Sequence, residues 1–250
     1  MRNFTRGILY VLFLLITLPG ISQRMTWTTK SEAAKELAMA GADHYMNAEF
    51  EQAYGDFSSA VKLDPDFTVA LVFMTTLTRG ETKNSYIQRA LKSAENKTEG
   101  EKLFASTADP KSTPESRREI WAKLHSMFPD GAMIANIYVQ TRATPAERFA
   151  AAQDFIKKFP DQPSMYNTIA YYYMLDKKDN AQAKQNLEKY ISLYPEGSNP
   201  YDSMGEFYLN TGDTANSEKY YKLALEKYPF TASSVNALQK IEDSKKKDAK

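Results

Sequence analysis

Residues 199–229 read NPYDSMGEFYLNTGDTANSEKYYKLALEKYP. Tyr201, Met204, Gly205 and Tyr208 recur at steps of three and four, which places them on one face of a helix. Ser217, Tyr221 and Ala224 do the same further on, and Pro229 stops the second run because it has no amide donor and disfavours helix in the residue before it. The Asn210-Thr211-Gly212-Asp213 stretch between them is turn chemistry. The segment therefore predicts two antiparallel helices, and a hairpin of this kind buries its apolar stripes only against neighbours.

The neighbours are in the chain. An aromatic residue followed by proline occurs at Phe128-Pro129, Phe159-Pro160, Tyr194-Pro195 and Tyr228-Pro229, at steps of 31, 35 and 34 residues. Asp64-Pro65 lies 64 residues before Pro129, room for two further units. The preceding unit repeats the filling as Tyr166, Ile169, Ala170, Tyr173, then Ala183, Leu187, Tyr190. The first unit reads Leu37, Ala40, Gly41, His44, then Ala53, Phe57, Ala60. Small residues at Gly41, Ala170 and Gly205 admit close approach of the two helices, and the rings beside them fill the space to the next hairpin. This order of residues resembles the tetratricopeptide repeat (TPR). The resemblance implies an all-α chain, a right-handed α-α superhelix of about six helical hairpins closed by a C-terminal capping helix. The hairpins are expected over 31–63, 67–95, 99–128, 132–159, 163–193 and 200–227, within a solenoid spanning 31–243.

Capping residues support those limits. Thr144-Pro145-Ala146-Glu147 is a capping box with proline at the first helical position, and Thr113-Pro114 and Asn199-Pro200 open helices similarly. Asp179 and Asp213 are expected N-caps. Between Pro65 and Pro129 the apolar pattern persists through Leu71, Phe73, Phe104 and Trp121 without the small-residue signature, and 108–114 reads as a loop. Val235, Leu238 and Ile241 form the inward stripe expected of the last helix, and 244–250 reads as a charged, disordered tail.

The ends and the composition bear on address and chemistry. Arg2 and Arg6 precede the apolar run Ile8–Leu18, Pro19-Gly20 breaks it and Ser22 offers a cleavage point, so 1–22 reads as a secretory signal peptide and 23–30 as a linker. An uncleaved signal anchor is the alternative; the run is shorter than the roughly 20 apolar residues of an ordinary span. With 32 basic against 31 acidic residues and no cysteine, the chain offers no field for nucleic acid, no disulfide, no thiolate and no lipid-bearing cysteine. The expected address is periplasmic or secreted, without stable membrane insertion once the signal is removed.

Few residues suggest chemistry. His44 and His125 are the only histidines and stand outside any metal-binding spacing; His44 replaces an aromatic of the repeat and reads as structural. No glycine-rich phosphate loop or nucleophile motif is present, and no cofactor or metal is expected. Asp202 and Glu206, four apart, share a helix face that is expected to line a concave groove, where paired carboxylates would serve a partner's cations or, as an enzyme, glycoside hydrolysis. No further residue reinforces the catalytic reading. Tyr171 shares the groove-facing stripe of Asn167 and Met174, with packing against a neighbouring hairpin as its equal alternative.

The TPR resemblance implies a noncatalytic scaffold for a protein or peptide partner, with Asn167, Tyr171, Met174, Asp202, Glu206, Leu209 and Asn210 as expected contacts. Some members of the family grip a peptide's terminal carboxylate through groove lysine and asparagine residues. Here Lys35, Ala38, Ala42, Tyr45 and Met46 occupy the first helix, so that clamp is incomplete. The competing class is a carbohydrate-capture module that uses the tyrosine-rich second half.

Overall fold

A computed structural model describes residues 23–248; the expected signal peptide lies outside them. Among the described residues there are thirteen α-helices and no strands. Twelve helices form six hairpins: α1 (Glu32–Met46) with α2 (Phe50–Leu63), α3 (Thr68–Leu77) with α4 (Gly80–Ala94), and α5 (Glu99–Ser106) with α6 (Pro114–Met127). Then come α7 (Ala132–Gln140) with α8 (Pro145–Lys158), α9 (Ser164–Tyr171) with α10 (Asn180–Leu193), and α11 (Asn199–Asn210) with α12 (Thr214–Lys227). The capping helix α13 (Ala232–Asp248) covers the end. Contacts run mainly between elements adjacent in the chain, as expected for a solenoid whose modules bury each other's faces.

The small residues do the steric work assigned to them. A Cβ added to Gly41 would sit 3.1 Å from the Phe57 ring, a tight contact that the ring would have to yield to, and one on Gly205 would meet Tyr221 at 2.8 Å, closer than side chains tolerate. The helices α6, α8, α10 and α12 each end two residues before a proline, with Phe128, Phe159, Tyr194 and Tyr228 in the cap positions between. Thr144 and Glu147 form the reciprocal capping box, and Asp179 and Asp213 accept from the amides of Gln182 and Asn216.

Three features depart from the sequence reading. Residues 23–30 are a strap rather than a free linker. Met25 is buried, Trp27 packs edge-on against Phe67, and Thr29 donates to Asp64 at 2.6 Å. Thr28 donates its amide and hydroxyl to the fully buried Glu101 carboxylate at 2.7 and 2.8 Å. Secondly, α13 continues to Asp248 through the expected tail, helped by the Lys245–Glu218 ion pair. Its inward stripe is also rotated, because Val235 is 47% exposed while Ser234 and Ile241 are buried. Ser234 takes the inner position because its hydroxyl supplies a hydrogen bond that a valine cannot.

The third is a closure. Asn47, Ala48 and Glu49, the α1–α2 turn, dock against the α10–α11 connection of the fifth and sixth hairpins. The Glu49 carboxylate accepts from the Tyr194 hydroxyl at 2.7 Å, the Ser198 amide at 2.6 Å and the Asn199 amide at 3.2 Å. Its side chain is 2% exposed. Tyr190, wholly buried, donates to the Asn47 carbonyl at 3.3 Å. Ser198 gives α11 no side-chain cap, so a carboxylate from the first hairpin satisfies the free amides and positive end of that helix. The superhelix thus returns on itself, and α1 also touches α7.

Candidate functional site

The closure brings the C-terminal ends of α1, α3, α5 and α7 around a recess of about 620 Å³. Its wall is aromatic, from Tyr45, Phe73, Phe104 and Trp121. The rings are locked in sequence: Tyr45 is edge-on to Phe73 at 4.9 Å, Phe73 is tilted against Phe104 at 5.8 Å, and Phe104 is edge-on to Trp121 at 5.5 Å. Phe57 stacks behind Phe73 at 4.3 Å. Such contacts hold the wall in one conformation.

Polar groups complete the lining. Thr75, Thr76, Thr107 and Thr141 sit where the first helices end, and all four hydroxyls bond back to carbonyls of the preceding turn. Lys83 and Arg117 are the charged lining residues, with no carboxylate among the lining groups. Arg117 donates to the Ser112 carbonyl at 2.8 Å, which ties it to the loop expected at 108–114; Ala108 and Pro110 of that loop also line the recess. Tyr45 and Thr76 are shared with a shallower hollow beside Phe50 and Tyr54. Those two rings are 49% and 45% exposed, unusual for large apolar groups side by side.

The residues singled out in the sequence are divided by the structure. Asn167 and Tyr171 line another recess, of about 520 Å³, with Gln140, Arg148 and Tyr172. Gln140 precedes Thr141 of the aromatic recess, so α7 borders both. Tyr171 packs toward the next hairpin: its hydroxyl donates to Glu206 at 2.5 Å, and burial, then the Glu206 charge, raise its pKa far above the ordinary tyrosine value.

Met174 is buried, and its sulfur accepts from the Asn210 amide nitrogen at 3.7 Å. Asp202 does not face an open groove. It is buried beneath α13 and accepts from Ser233 at 2.9 Å and Ser234 at 2.5 Å. Burial and the nearby Glu206 raise its pKa against the pull of those two hydroxyls. Leu209 is 42% exposed and Asn210 is exposed. The stripe therefore serves largely as glue between hairpins five and six and the capping helix. Among the described residues no group of three metal-ligating side chains is assembled. His44 is half-buried and bonds through Nδ1 to Asp56 at 2.8 Å, a structural tie across the first hairpin.

Sequence reasoning passed over the aromatic recess because it sits in the hairpins that lack the small-residue signature. That deficiency was the available signal. The rings that floor the recess, Phe73 and Phe104, are 2% and 0% exposed and belong to the core, and α5, which carries Phe104, is only 8 residues long.

Comparison with known proteins follows this geometry. Residues 163–196 and 199–229 match the tetratricopeptide repeat family, the fifth and sixth hairpins. The fifth and sixth hairpins are thus tetratricopeptide repeats, the repeat of protein-interaction scaffolds that are typically noncatalytic. Among solved structures the chain is similar to the Cut9–Hcn1 hetero-tetramer of the APC/C, at 14% identity and a TM-score of 0.50, covering 84% of this chain and 43% of that one. It is also similar to PilW, a type IV pilus biogenesis factor, at 12% identity and TM-score 0.49, over 84% of this chain and 99% of that one. The Pseudomonas aeruginosa PilF structure aligns at 14% identity and TM-score 0.45, over 85% and 98% of the two chains. No curated protein matches the sequence. Among the described residues no helix is long and apolar enough to cross a membrane.

Proposed function

We propose that the chain is a noncatalytic, exported scaffold that holds a protein or peptide segment in the aromatic recess, with the exposed Phe50–Tyr54 pair extending the contact. The carrying observation is the exposed Phe50–Tyr54 pair, which meets the half-buried Tyr45 at the mouth of a recess floored by the buried rings of Phe73, Phe104 and Trp121, with Lys83 and Arg117 as its only charged lining residues. Rings locked by their neighbours lose little conformational entropy when a partner docks. Exposed aromatic anchors such as Phe50 and Tyr54, with polar groups at the rim, are the usual anatomy of a binding hot spot. Asn167 and Tyr171 extend the surface along α7 and α9. Export rests on the signal-like segment 1–22.

The carbohydrate reading asks for a row of free rings in the second half. There Tyr190 is buried, Tyr194 bonds to Glu49, Tyr171 bonds to Glu206 and Tyr208 stacks on Tyr220. No observation favours it.

The test is affinity capture from cell-envelope extract with wild type and a Phe50→Ser/Tyr54→Ser variant. Both residues are exposed, so the variant is expected to keep its thermal midpoint. It is expected to lose partner recovery by about tenfold or more, the size of one hot-spot contact. Equal recovery of every captured protein by both forms would overturn the assignment of this surface.

A further inference from the structure

The aromatic recess and the shallower hollow beside Phe50 and Tyr54 meet at Tyr45 and Thr76, which line both. Tyr45 is edge-on to Phe50 at 5.5 Å, so the two hollows form one continuous surface with the exposed rings at the junction. Three cations stand around it. Arg79 lines the shallow hollow, and Lys83 and Arg117 line the deeper one. Arg79 and Lys83 lie at the start of α4 and Arg117 at the start of α6, so hairpins two and three turn positive charge toward the same surface.

All three side chains are exposed, and among the described residues none of them pairs with a carboxylate. Elsewhere on the surface such pairs form readily. Arg118, the next residue after Arg117, pairs with Glu115 at 2.8 Å, and Lys157 and Lys222 pair with Asp154 and Glu218 at the same distance. Arg117 instead donates to the Ser112 carbonyl, which holds it beside the recess. Glu51, in the shallow hollow, is the one acidic residue lining the joined surface. The whole chain balances 32 basic against 31 acidic residues, so three cations facing one carboxylate is a local excess and does not follow from composition.

We infer that the occupant of this joined surface is an internal segment of a partner protein in which acidic side chains flank an apolar one. This rests on the partner-binding reading above and names the partner's chemistry. The apolar side chain lies against Phe50 and Tyr54. Carboxylates on either side of it pair with Arg79 in one hollow and with Lys83 and Arg117 in the other. A basic segment would set like charges against each other, and an uncharged one would desolvate three cations without a compensating charge. Cations spread over two hollows match several carboxylates along a segment, not the single carboxylate at a chain end.

The test is selection from a random peptide library, acetylated and amidated at its ends, on the immobilised full chain. Peptides retained by the wild type are expected to combine acidic residues with an aromatic or aliphatic one. One such peptide is then titrated in solution. Its Kd is expected to rise by about tenfold or more in Arg79→Gln/Lys83→Gln, the size of a lost charge pairing, and to rise with added salt. Lys83→Glu/Arg117→Glu is expected to change the selected peptides from acidic to basic, a switch of preference that loss of stability alone does not produce. Should that variant fail to fold, Arg79→Gln/Lys83→Gln leaves the Arg117 bond intact and carries the test.

Selected peptides that carry apolar residues without acidic ones overturn the acidic assignment and leave the partner-binding reading standing. So does a Kd unchanged in the folded charge variants. A repeat of the selection with unamidated peptides separates the two sources of carboxylate: a requirement for a free terminal carboxylate overturns the internal-segment assignment. No enrichment on the wild type, or equal retention by the Phe50→Ser/Tyr54→Ser variant, overturns this inference and the partner-binding reading together.

Discussion

Asp202 shows how a residue's type and its role part company. Its spacing from Glu206 put two carboxylates on one helix face, which the structure confirms, but α13 covers Asp202 and two serine hydroxyls bond to it. Burial raises its pKa above the ordinary 3.8, so the folded state holds a proton more readily than the unfolded chain. The linked stability is fully present below 3.8 and is lost as pH rises through the higher folded pKa. Asp202→Asn cannot titrate, so its urea midpoint is expected to vary less with pH across that interval than the wild type's. Denaturation curves for both proteins through the mildly acidic range check this. The depth of Asp202 was not legible from Asp202 itself; it depends on Ser234 being turned inward, and the apolar pattern of the last helix pointed to Val235 instead.

Within the hairpins, the turn between paired helices is a recurring device. Ala48, Lys178 and Gly212 all have positive φ, of 60°, 55° and 83°. The residue after each donates its amide to a carbonyl near the end of the first helix: Glu49 to His44 at 2.9 Å, Asp179 to Tyr173 at 2.9 Å and Asp213 to Tyr208 at 2.9 Å. Only one of the three positions is glycine, although a left-handed conformation strains other residues. Lys178→Gly is therefore expected to stabilise the protein by about 0.5–1 kcal/mol, the residual of that strain after the extra unfolded-state entropy of glycine. A rise in thermal midpoint measures it.

The same element explains an irregularity in the repeat. Nine residues separate Tyr208 from Ser217, and ten separate Tyr173 from Ala183. A π-helical turn over Tyr172–Lys177 absorbs the added residue, as such turns do. It also accounts for the step of 35 residues between Pro160 and Pro195 where the following step is 34. The one-residue excess was legible in the sequence; its placement at Tyr172–Lys177 was not, because turn and helix can each accommodate an insertion.

At the scale of the whole molecule, the decisive contact is the one made by Glu49. It joins the first hairpin to the N-terminus of α11, across 150 residues of chain to Asn199. Glu49→Ala leaves the Tyr194 hydroxyl and the Ser198 and Asn199 amides without their acceptor. The expected loss is about 2–4 kcal/mol, since several buried donors lose a charged partner together. Hydrogen exchange should locate the effect. Faster exchange at Ser198 and Asn199, with α5 and α6 little changed, would show local opening of the closure, whereas unaltered exchange there would deny Glu49 this role.

The sequence by itself determined the elements and their order: six hairpins and a final helix, bounded by prolines and capping residues, with glycine or alanine where paired helices cross. These features are encoded within some 35 residues of one another, so periodicity and local sterics suffice to read them. Tertiary structure alone decided where the molecule has room and where it has none. Closure by Glu49, the strap through Thr28 to Glu101, and the rotation of α13 over Asp202 all join distant parts of the chain. Which stripe becomes glue and which becomes a recess depends on those long-range contacts, since a side chain's exposure is set by what the rest of the chain lays over it.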